Sequence, residues 1–256
     1  MSAGSFNQPP ARNPSGGTSD FPWQPLADCG AGNPFFYHSY FDDMDSSLAV
    51  TGVYTKSITG VGTIANTAGD GGLGLFTTAG AAGTDIASIQ LPAASFSLTT
   101  GLKLFFECRL KISDVINALF NVGLMQTTVT PFTVTDGIFF QKLAGATSLS
   151  IVSAVGSVLT TVAIPVSAFT LTNNVNIDLA FYLNRQGDVL AFADVQLVGF
   201  IPQSGTTAIN PNTGPVARIT APTLTTAILN PTIALQAGTA TAKTLTLDFF
   251  SVQKER

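Results

Sequence analysis

The sequence predicts an all-β protein built as a sandwich of two antiparallel sheets. Charged residues make up 10% of the chain, against ~25% in typical soluble domains. Only Glu107 and Glu255 are glutamates, whereas Thr, Val, Ile, Phe and Gly, which favour strands and turns, are abundant. Short apolar runs separated by turn residues also recur roughly every 8–15 residues, which is typical of a large sandwich.

The clearest single element is a β-hairpin over residues 174–200. Two apolar runs flank the polar turn Asn-Arg-Gln-Gly-Asp at 184–188, which is the pattern of a hairpin. In the first run the residues that share one face are Val175, Ile177, Leu179, Phe181 and Leu183. The second run is apolar on both faces, so we expect it to be covered on both sides. We therefore predict that this hairpin lies in the middle of a sheet.

Residues 1–34 differ from the rest of the chain, because they hold six of its 14 prolines. This excludes a regular helix or a central strand. A disordered tail is one interpretation. The other is an extended arm that becomes ordered on a neighbouring subunit, with Phe21, Trp23 and Leu26 as apolar anchors. Trp23 is the only tryptophan.

A folded β-sandwich domain is predicted over residues 35–256, and its first segment is rich in aromatic residues. Asp42, Asp43 and Asp45 follow it and raise the hypothesis of a calcium site, since Ca²⁺ prefers oxygen ligands. The spacing is not that of an EF-hand, which favours a solvated turn. The single histidine, His38, is interpreted as a half-buried packing residue.

Further strands follow in order. The shorter ones are predicted over residues 52–56, 62–66, 72–78, 87–91, 119–125, 136–142, 149–154, 158–164, 216–219 and 233–236. A strong strand covers residues 102–112, with Glu107 and Arg109 on one face, where they can pair with charges on adjacent strands. The last strand, 244–252, is predicted to place Leu245, Leu247, Phe249 and Ser251 on one face.

The two cysteines show no metal-binding spacing. Cys108 lies within a strand pattern and is expected to be a small buried hydrophobic residue, whereas Cys29 lies in the irregular N-terminal segment. Two free thiols are favoured, and a bridge between them stays open.

Several function classes are disfavoured by composition. A net charge of −4 and the lack of a Lys/Arg cluster argue against a nucleic-acid partner. No apolar run approaches the ~20 residues that cross a bilayer, and the N-terminus has no basic and apolar leader. Asp178 and Asp194 could be neighbours across the hairpin, but structural hydrogen bonding is the favoured role. We predict no catalytic, cofactor-binding or metal-binding residues, and therefore no enzyme.

The order of strands resembles the concanavalin A-like jelly roll. The similarity is carried by the Asp-containing turn at Phe41–Asp45, the run Phe-Glu-Cys-Arg-Leu-Lys-Ile from Phe106, the strand Val122–Leu124, and the run Asp-Gly-Ile-Phe-Phe from Asp136. The hairpin with its tip at 184–188 and the terminal strand Leu245–Val252 complete the pattern. It implies a jelly-roll body over residues 35–256. Glycosidases of that family carry a Glu-x-Asp-x-Glu set on one concave strand, whereas here Glu107 is followed by Cys108 and Arg109.

The whole chain resembles the auxiliary (decoration or cement) proteins of tailed-phage capsids, because it joins a proline-rich arm to a low-charge jelly-roll body. That resemblance implies a non-enzymatic virion protein, made in the host cytoplasm and bound on the outer capsid surface. Its partners would be the major capsid protein and copies of itself, as a dimer or trimer. The alternative is a carbohydrate-binding jelly-roll module of a phage fibre or spike, which the scarcity of Trp and Tyr disfavours. A hydrolase is the third hypothesis.

Overall fold

The computed structural model describes residues 37–69, 71–79, 85–193, 215–220 and 222–256, with no side chain described for Tyr37. Within these residues the protein is all-β, without a helix, and two sheets of eight antiparallel strands each face one another. The predicted sandwich is confirmed. None of the described residues forms a helix that could span a bilayer. Arm residues 1–34 lie outside the described part.

Sheet I has the order β14-β13-β12-β7-β16-β4-β3, and β1 pairs with the end of β16. Its strands are β1 (Tyr37–Asp42), β3 (Gly62–Thr67), β4 (Leu73–Thr78), β7 (Leu104–Ile112), β12 (Ile177–Leu183), β13 (Val189–Ala193), β14 (Ala217–Ile219) and β16 (Lys243–Glu255). Sheet II has the order β11-β10-β9-β8-β15-β5-β2, and β6 also pairs with β15. Its strands are β2 (Thr55–Thr59), β5 (Ile86–Gln90), β6 (Phe96–Ser97), β8 (Ala118–Gln126), β9 (Gly137–Lys142), β10 (Leu149–Val155), β11 (Val158–Ala163) and β15 (Ile228–Ala237).

The core lies between the two sheets and is formed by the alternate residues of each strand. Phe181 of β12 stacks on Phe106 of β7 with ring centroids 5.1 Å apart, and its ring centroid lies 6.1 Å from that of Phe140 in the opposite sheet. Cys108 is fully buried in this core as a free thiol, as predicted. Burial raises its pKa, since a thiolate there would lose its hydration.

The predicted hairpin is confirmed as β12 and β13. Its turn is closed by the Asn184 amide N–H, which donates to the Asp188 carbonyl, and by the Asp188 amide, which donates to Oδ1 of Asn184. The predicted central place is wrong. The long strands β7 and β16 occupy the centre of sheet I, because they can pair along nine residues, whereas β13 is followed only by the short β14. Residues 194–200 of the second arm lie outside the described residues.

The prediction for β16 is also wrong in one respect. A β-bulge between Leu247 and Phe249 shifts the register against β7, and an extra residue in a strand moves every later side chain to the opposite face. Leu245 and Leu247 therefore face the core, followed by Phe250 and Val252. Phe249 and Ser251 lie on the outer face instead.

The aromatic opening of the domain forms β1. His38 is half-buried and stacks on Phe96 at 4.8 Å, which confirms its packing role. Asp42 accepts hydrogen bonds from the Met44 amide at 2.7 Å and from the Tyr54 hydroxyl at 2.5 Å. These bonds form a turn, as favoured by the sequence.

Candidate functional site

Acidic residues are distributed unevenly between the two sheets. The eight strands of sheet II contain no Asp or Glu, whereas those of sheet I contain Asp42, Glu107, Asp178, Asp248 and Glu255. The carboxylates carried by the described strands therefore all belong to sheet I. Glu107, Asp178 and Asp248 lie on the outer face of this sheet around one arginine, and we call these three residues with Arg109 the Arg109 cluster.

The centre of the cluster is a two-pronged ion pair. Nε of Arg109 donates to Oδ1 of Asp178 at 2.7 Å, and the terminal nitrogen Nη2 donates to Oδ2 at 3.1 Å. The other terminal nitrogen lies 3.6 Å from Oδ2 of Asp248. Register explains the geometry, because Arg109 on β7 is directly opposite Asp178 on β12 and Phe249 on β16, where the bulge places Asp248 beside it. The prediction that Arg109 pairs with charges on adjacent strands is confirmed.

Two aromatic rings flank the cluster. The Arg109 guanidinium lies 5.6 Å from the ring centroid of Phe249, which is within the range of a cation–π contact. Phe41 of β1 stacks on Phe249 at 6.1 Å and is 63% exposed. The outer face of sheet I therefore presents an exposed apolar ring beside a guanidinium and carboxylates, which is a combination that can hold a flat or hydroxyl-rich ligand.

Within the described residues, Glu107 is the one carboxylate of the cluster that forms neither a hydrogen bond nor an ion pair, whereas Asp178 and Asp248 both pair with Arg109. Burial raises its pKa and the charge of Asp178 raises it further, while Arg109 opposes both effects. A glycosidase needs one protonated and one ionised carboxylate at a defined separation. Here the second carboxylate, Asp178, is held in the fork of Arg109, so its oxygens already accept hydrogen bonds.

The outer face of sheet II is closed by a loop rather than open. Residues 127–136 cross it, since Nδ2 of Asn121 donates to the Pro131 carbonyl at 2.7 Å and the Thr128 amide donates to Oε1 of Gln90 at 3.0 Å. Beneath the loop lies a small apolar cluster that includes Met125, Val134 and Phe139. The part of this face under the loop is therefore packed, and its polar side chains Asn121 and Gln90 are bonded to the loop.

A further surface is the edge strand β11. Within the described residues it pairs only with β10, and five of its six residues are exposed. Its sequence, Val-Leu-Thr-Thr-Val-Ala, carries no charge. Val158 is 72% and Leu159 51% exposed.

The candidate residues from the sequence are placed as follows. The arm anchors Phe21, Trp23 and Leu26 lie outside the described residues, as does Asp194. Among the described residues no group of three His, Cys, Asp or Glu side chains could hold a metal ion. Asp248 and Phe249 were missed, because the bulge that turns them outward cannot be read from alternation. The only signal for it was the acid that interrupts the apolar run from Leu245 to Phe250.

Among known proteins, this chain matches solved structures but no sequence family. No family model matches the sequence, and no curated protein matches it. An endo-1,3-β-glucanase from Streptomyces sioyaensis superposes with a TM-score of 0.53 at 12% identity, covering 87% of this chain and 98% of that one. The carbohydrate recognition domain of Emp47p gives a TM-score of 0.53 at 9% identity, covering 86% and 98% of the two chains. A protein of unknown function from Shewanella oneidensis MR-1 gives 0.52 at 14% identity, covering 86% of each.

At such low identity these likenesses speak to the fold and not to the activity. They agree with the two antiparallel sheets described above. The protein therefore has the concanavalin A-like jelly-roll fold, which it shares with glucanases and lectin-like domains.

Proposed function

We propose that the protein is a non-enzymatic structural protein that acts by lying against other protein chains, and that it decorates the outer surface of a tailed-phage capsid. Its partners would be the major capsid protein and further copies of itself. The observation that carries the proposal is the neutral, exposed edge strand β11.

Edge strands normally carry a device against pairing with other chains, such as a lysine, a proline or a bulge. At the opposite edge of sheet II, β2 contains Lys56, whose Nζ also donates to the Ile64 carbonyl of the edge strand β3 at 3.3 Å. The edge strand β14 of sheet I has Arg218 at its centre. Strand β11 has none of these devices, so the backbone groups that it leaves unpaired within the described residues suit pairing with another chain.

Two further observations support a role without catalysis. The outer face of sheet II is filled by loop 127–136 and apolar side chains. On sheet I the Asp178 carboxylate is held by Arg109. A chain with 10% charged residues also leaves a wide neutral surface, which suits contact with protein subunits.

The test is a lysine placed on β11. Thr161→Lys puts a charge on the exposed strand, and Thr59→Lys is the matched control on β2, at the other edge of the same sheet. Particles purified from the producing culture should contain the wild type and the control, and the Thr161→Lys variant should be missing from them. In sedimentation experiments the wild type and the Thr59→Lys control should self-associate, whereas the Thr161→Lys variant should not. A wild type that is monomeric and absent from particles would contradict the proposal.

A second candidate function is carbohydrate binding on the outer face of sheet I. The specific observation in its favour is the exposed ring of Phe41, stacked on Phe249 beside the Arg109 cluster. Carbohydrate binding by this face should appear on a glycan array and be lost in Phe41→Ser, whereas Val61→Ser, on an exposed loop elsewhere, should keep it. Release of reducing sugar from a β-glucan by the wild type, abolished in Glu107→Gln, would instead contradict the non-enzymatic proposal.

A further inference from the structure

The outer face of sheet I carries a second apolar cluster, separate from the core. It consists of Phe105 on β7, Ala180 and Tyr182 on β12, and Phe192 on β13, with the partly buried Leu190 packed against them. We call this set the outer aromatic cluster. It lies on the face opposite to the core residues of the same strands.

The three rings are buried although they point away from the core. Phe105 is 5%, Tyr182 7% and Phe192 4% exposed. Buried aromatic rings on the outside of a sheet require a segment of chain that crosses the sheet and covers them. The cluster also lies in one line across the sheet, because Phe105 is opposite Tyr182 and Tyr182 is opposite Leu190.

The N-terminal arm enters the fold in the same line. Strand β1 pairs with β16, where Ser39 is opposite Gln253, and Gln253 is opposite Phe105. Neighbouring strands are ~4.8 Å apart, so Phe105 lies two strands, about 10 Å, from β1, and β13 lies about 19 Å from it. Trp23 precedes Tyr37 by 14 residues (37 − 23), which can span about 45 Å when extended.

The chemistry of the arm matches the cluster. Residues 21–26 read Phe-Pro-Trp-Gln-Pro-Leu, and a proline-stiffened extended peptide with aromatic residues docks readily on an aromatic surface. A competing segment, residues 194–214, leaves β13 at Ala193. Its only aromatic residue is Phe200, and Gly, Thr, Asn and Pro dominate its second half. It is the poorer match for a row of three rings.

We infer that the outer aromatic cluster of sheet I is the binding site for residues 21–26 of the same chain, with Trp23 packed against Phe105, Tyr182 and Phe192. The arm is then a strap across its own sheet and not a tether laid on a neighbouring subunit. The edge strand β11 remains for contact with other chains.

Because Trp23 is the only tryptophan, its fluorescence in the full-length protein reports the site directly. The emission maximum should be blue-shifted relative to the urea-unfolded protein and protected from acrylamide. Leu190→Glu should shift the emission to that of exposed indole, while Leu75→Glu, a half-buried leucine on the outer face of β4, should leave it unchanged. The inference would be overturned if the folded and unfolded wild type had the same emission maximum, or if Leu190→Glu left the emission maximum of Trp23 unchanged.

A second measurement does not depend on how well the variants fold. A photo-crosslinking amino acid at position 23 should link to peptides from β7, β12 or β13, within a single chain. Links only to residues 194–214 or to other parts of the chain would refute the site. Links between two chains, or Trp23 protection that disappears on dilution, would assign the strap to a second copy and refute the same-chain inference.

Discussion

Nε of Arg109 lies 2.7 Å from Oδ1 of Asp178 on the neighbouring strand, and the same guanidinium holds Asp248 at 3.6 Å on the other side. One cation thus joins β12, β7 and β16 on the outer face of sheet I. Arg109→Met would remove the charge and leave the two carboxylates and Glu107 in mutual repulsion. Since the Arg109 side chain is 42% exposed, solvent weakens the effect, and we expect a loss of about 1 kcal/mol in the free energy of unfolding.

The same variant gives a more specific signal at Glu107. Arg109 lowers the pKa of this carboxyl against the larger effects of burial and of Asp178. Arg109→Met should therefore raise the Glu107 pKa further, as measured by NMR titration. Lys111→Met, on the same face of β7, is the control and should leave the titration of Glu107 nearly unchanged. A Glu107 pKa that falls in Arg109→Met would show that the arrangement of charges is different.

The buried Lys142 should make the protein more stable at alkaline pH than at neutral pH. Its side chain is fully buried, Nζ donates to the Ala118 and Leu143 carbonyls at 3.2 and 2.6 Å, and burial lowers its pKa to about 8, with Asp114 opposing. An unfolded lysine has a pKa of about 10.4, so the unfolded chain binds more protons between these values. The cost to stability of burying the charged Lys142 ammonium is therefore fully present below about pH 8 and decreases as the pH rises.

As the pH rises from 7 to 9.5, we expect the deprotonation of Lys142 to increase the free energy of unfolding by about 2 kcal/mol, as measured by urea denaturation. Lys142→Met should lack this part of the rise, while Lys111→Met should keep it. Identical pH profiles for Lys142→Met and the wild type would contradict the prediction.

Lys243 and Asp114 form a buried ion pair where β16 begins. Nζ of Lys243, 3% exposed, lies 2.9 Å from Oδ2 of Asp114. Partial burial raises the pKa of Asp114, but hydrogen bonds from Lys243, Asn117 and Ile116 outweigh it and lower the pKa well below its usual range. Asp114 is 25% exposed, so solvent and its remaining hydrogen bonds partly compensate for the loss of its partner, and Lys243→Met should cost about 1–2 kcal/mol of unfolding free energy.

A double-mutant cycle with Asp114→Asn checks this interpretation. The double variant should lose less than the sum of the two single variants. The stabilisation by Asp114 is present above the unfolded pKa of about 3.9 and is lost as pH falls below it. Wild-type stability should therefore decline more steeply than that of Asp114→Asn below pH 4. Additive losses would mean that the two groups do not interact.

Gly123 of β8 is predicted to be intolerant of any side chain. Its φ is +156°, and an added Cβ would lie 2.5 Å from the Ile138 carbonyl oxygen and 2.6 Å from Cα of Phe139, which are backbone atoms of β9. Gly123→Ala should lower the free energy of unfolding by about 3 kcal/mol or more. Gly145→Ala is the control: its φ is +75° and no atom lies within 4 Å of the added Cβ, so the cost should be about 1 kcal/mol. Similar thermal midpoints for the two variants would contradict the close approach of the β9 backbone to Gly123.

The architecture was predictable from sequence because strand alternation encodes it directly. The hairpin β12–β13 shows its turn residues and its period of two. Strand β7 shows a complete apolar face, from Leu104 to Ile112. The position of Arg109 beside opposite charges could also be predicted, since residues two apart share a face. What alternation cannot encode is which strands become neighbours, so the central place of β16 was not foreseen.

Two features of the outer face were beyond sequence reasoning for a physical reason. The bulge before Phe249 depends on the register between β16 and β7, which is a property of the pair and not of either strand. The outer aromatic cluster joins the hairpin β12–β13 to β7, which is distant from it in sequence. The hairpin itself accounts for the nearness of Tyr182 and Phe192, whereas only the sheet order brings Phe105 beside them.

The asymmetry between the ends of sheet II limits what assembly through this sheet could produce. If β11 pairs antiparallel with β11 of a second copy, the contact is symmetric and the two halves form one continuous sheet. Each outer end of that sheet would be β2, where the Lys56 ammonium resists further addition. Growth would stop at two copies, so a protein with so little charge would form a finite particle instead of a fibre.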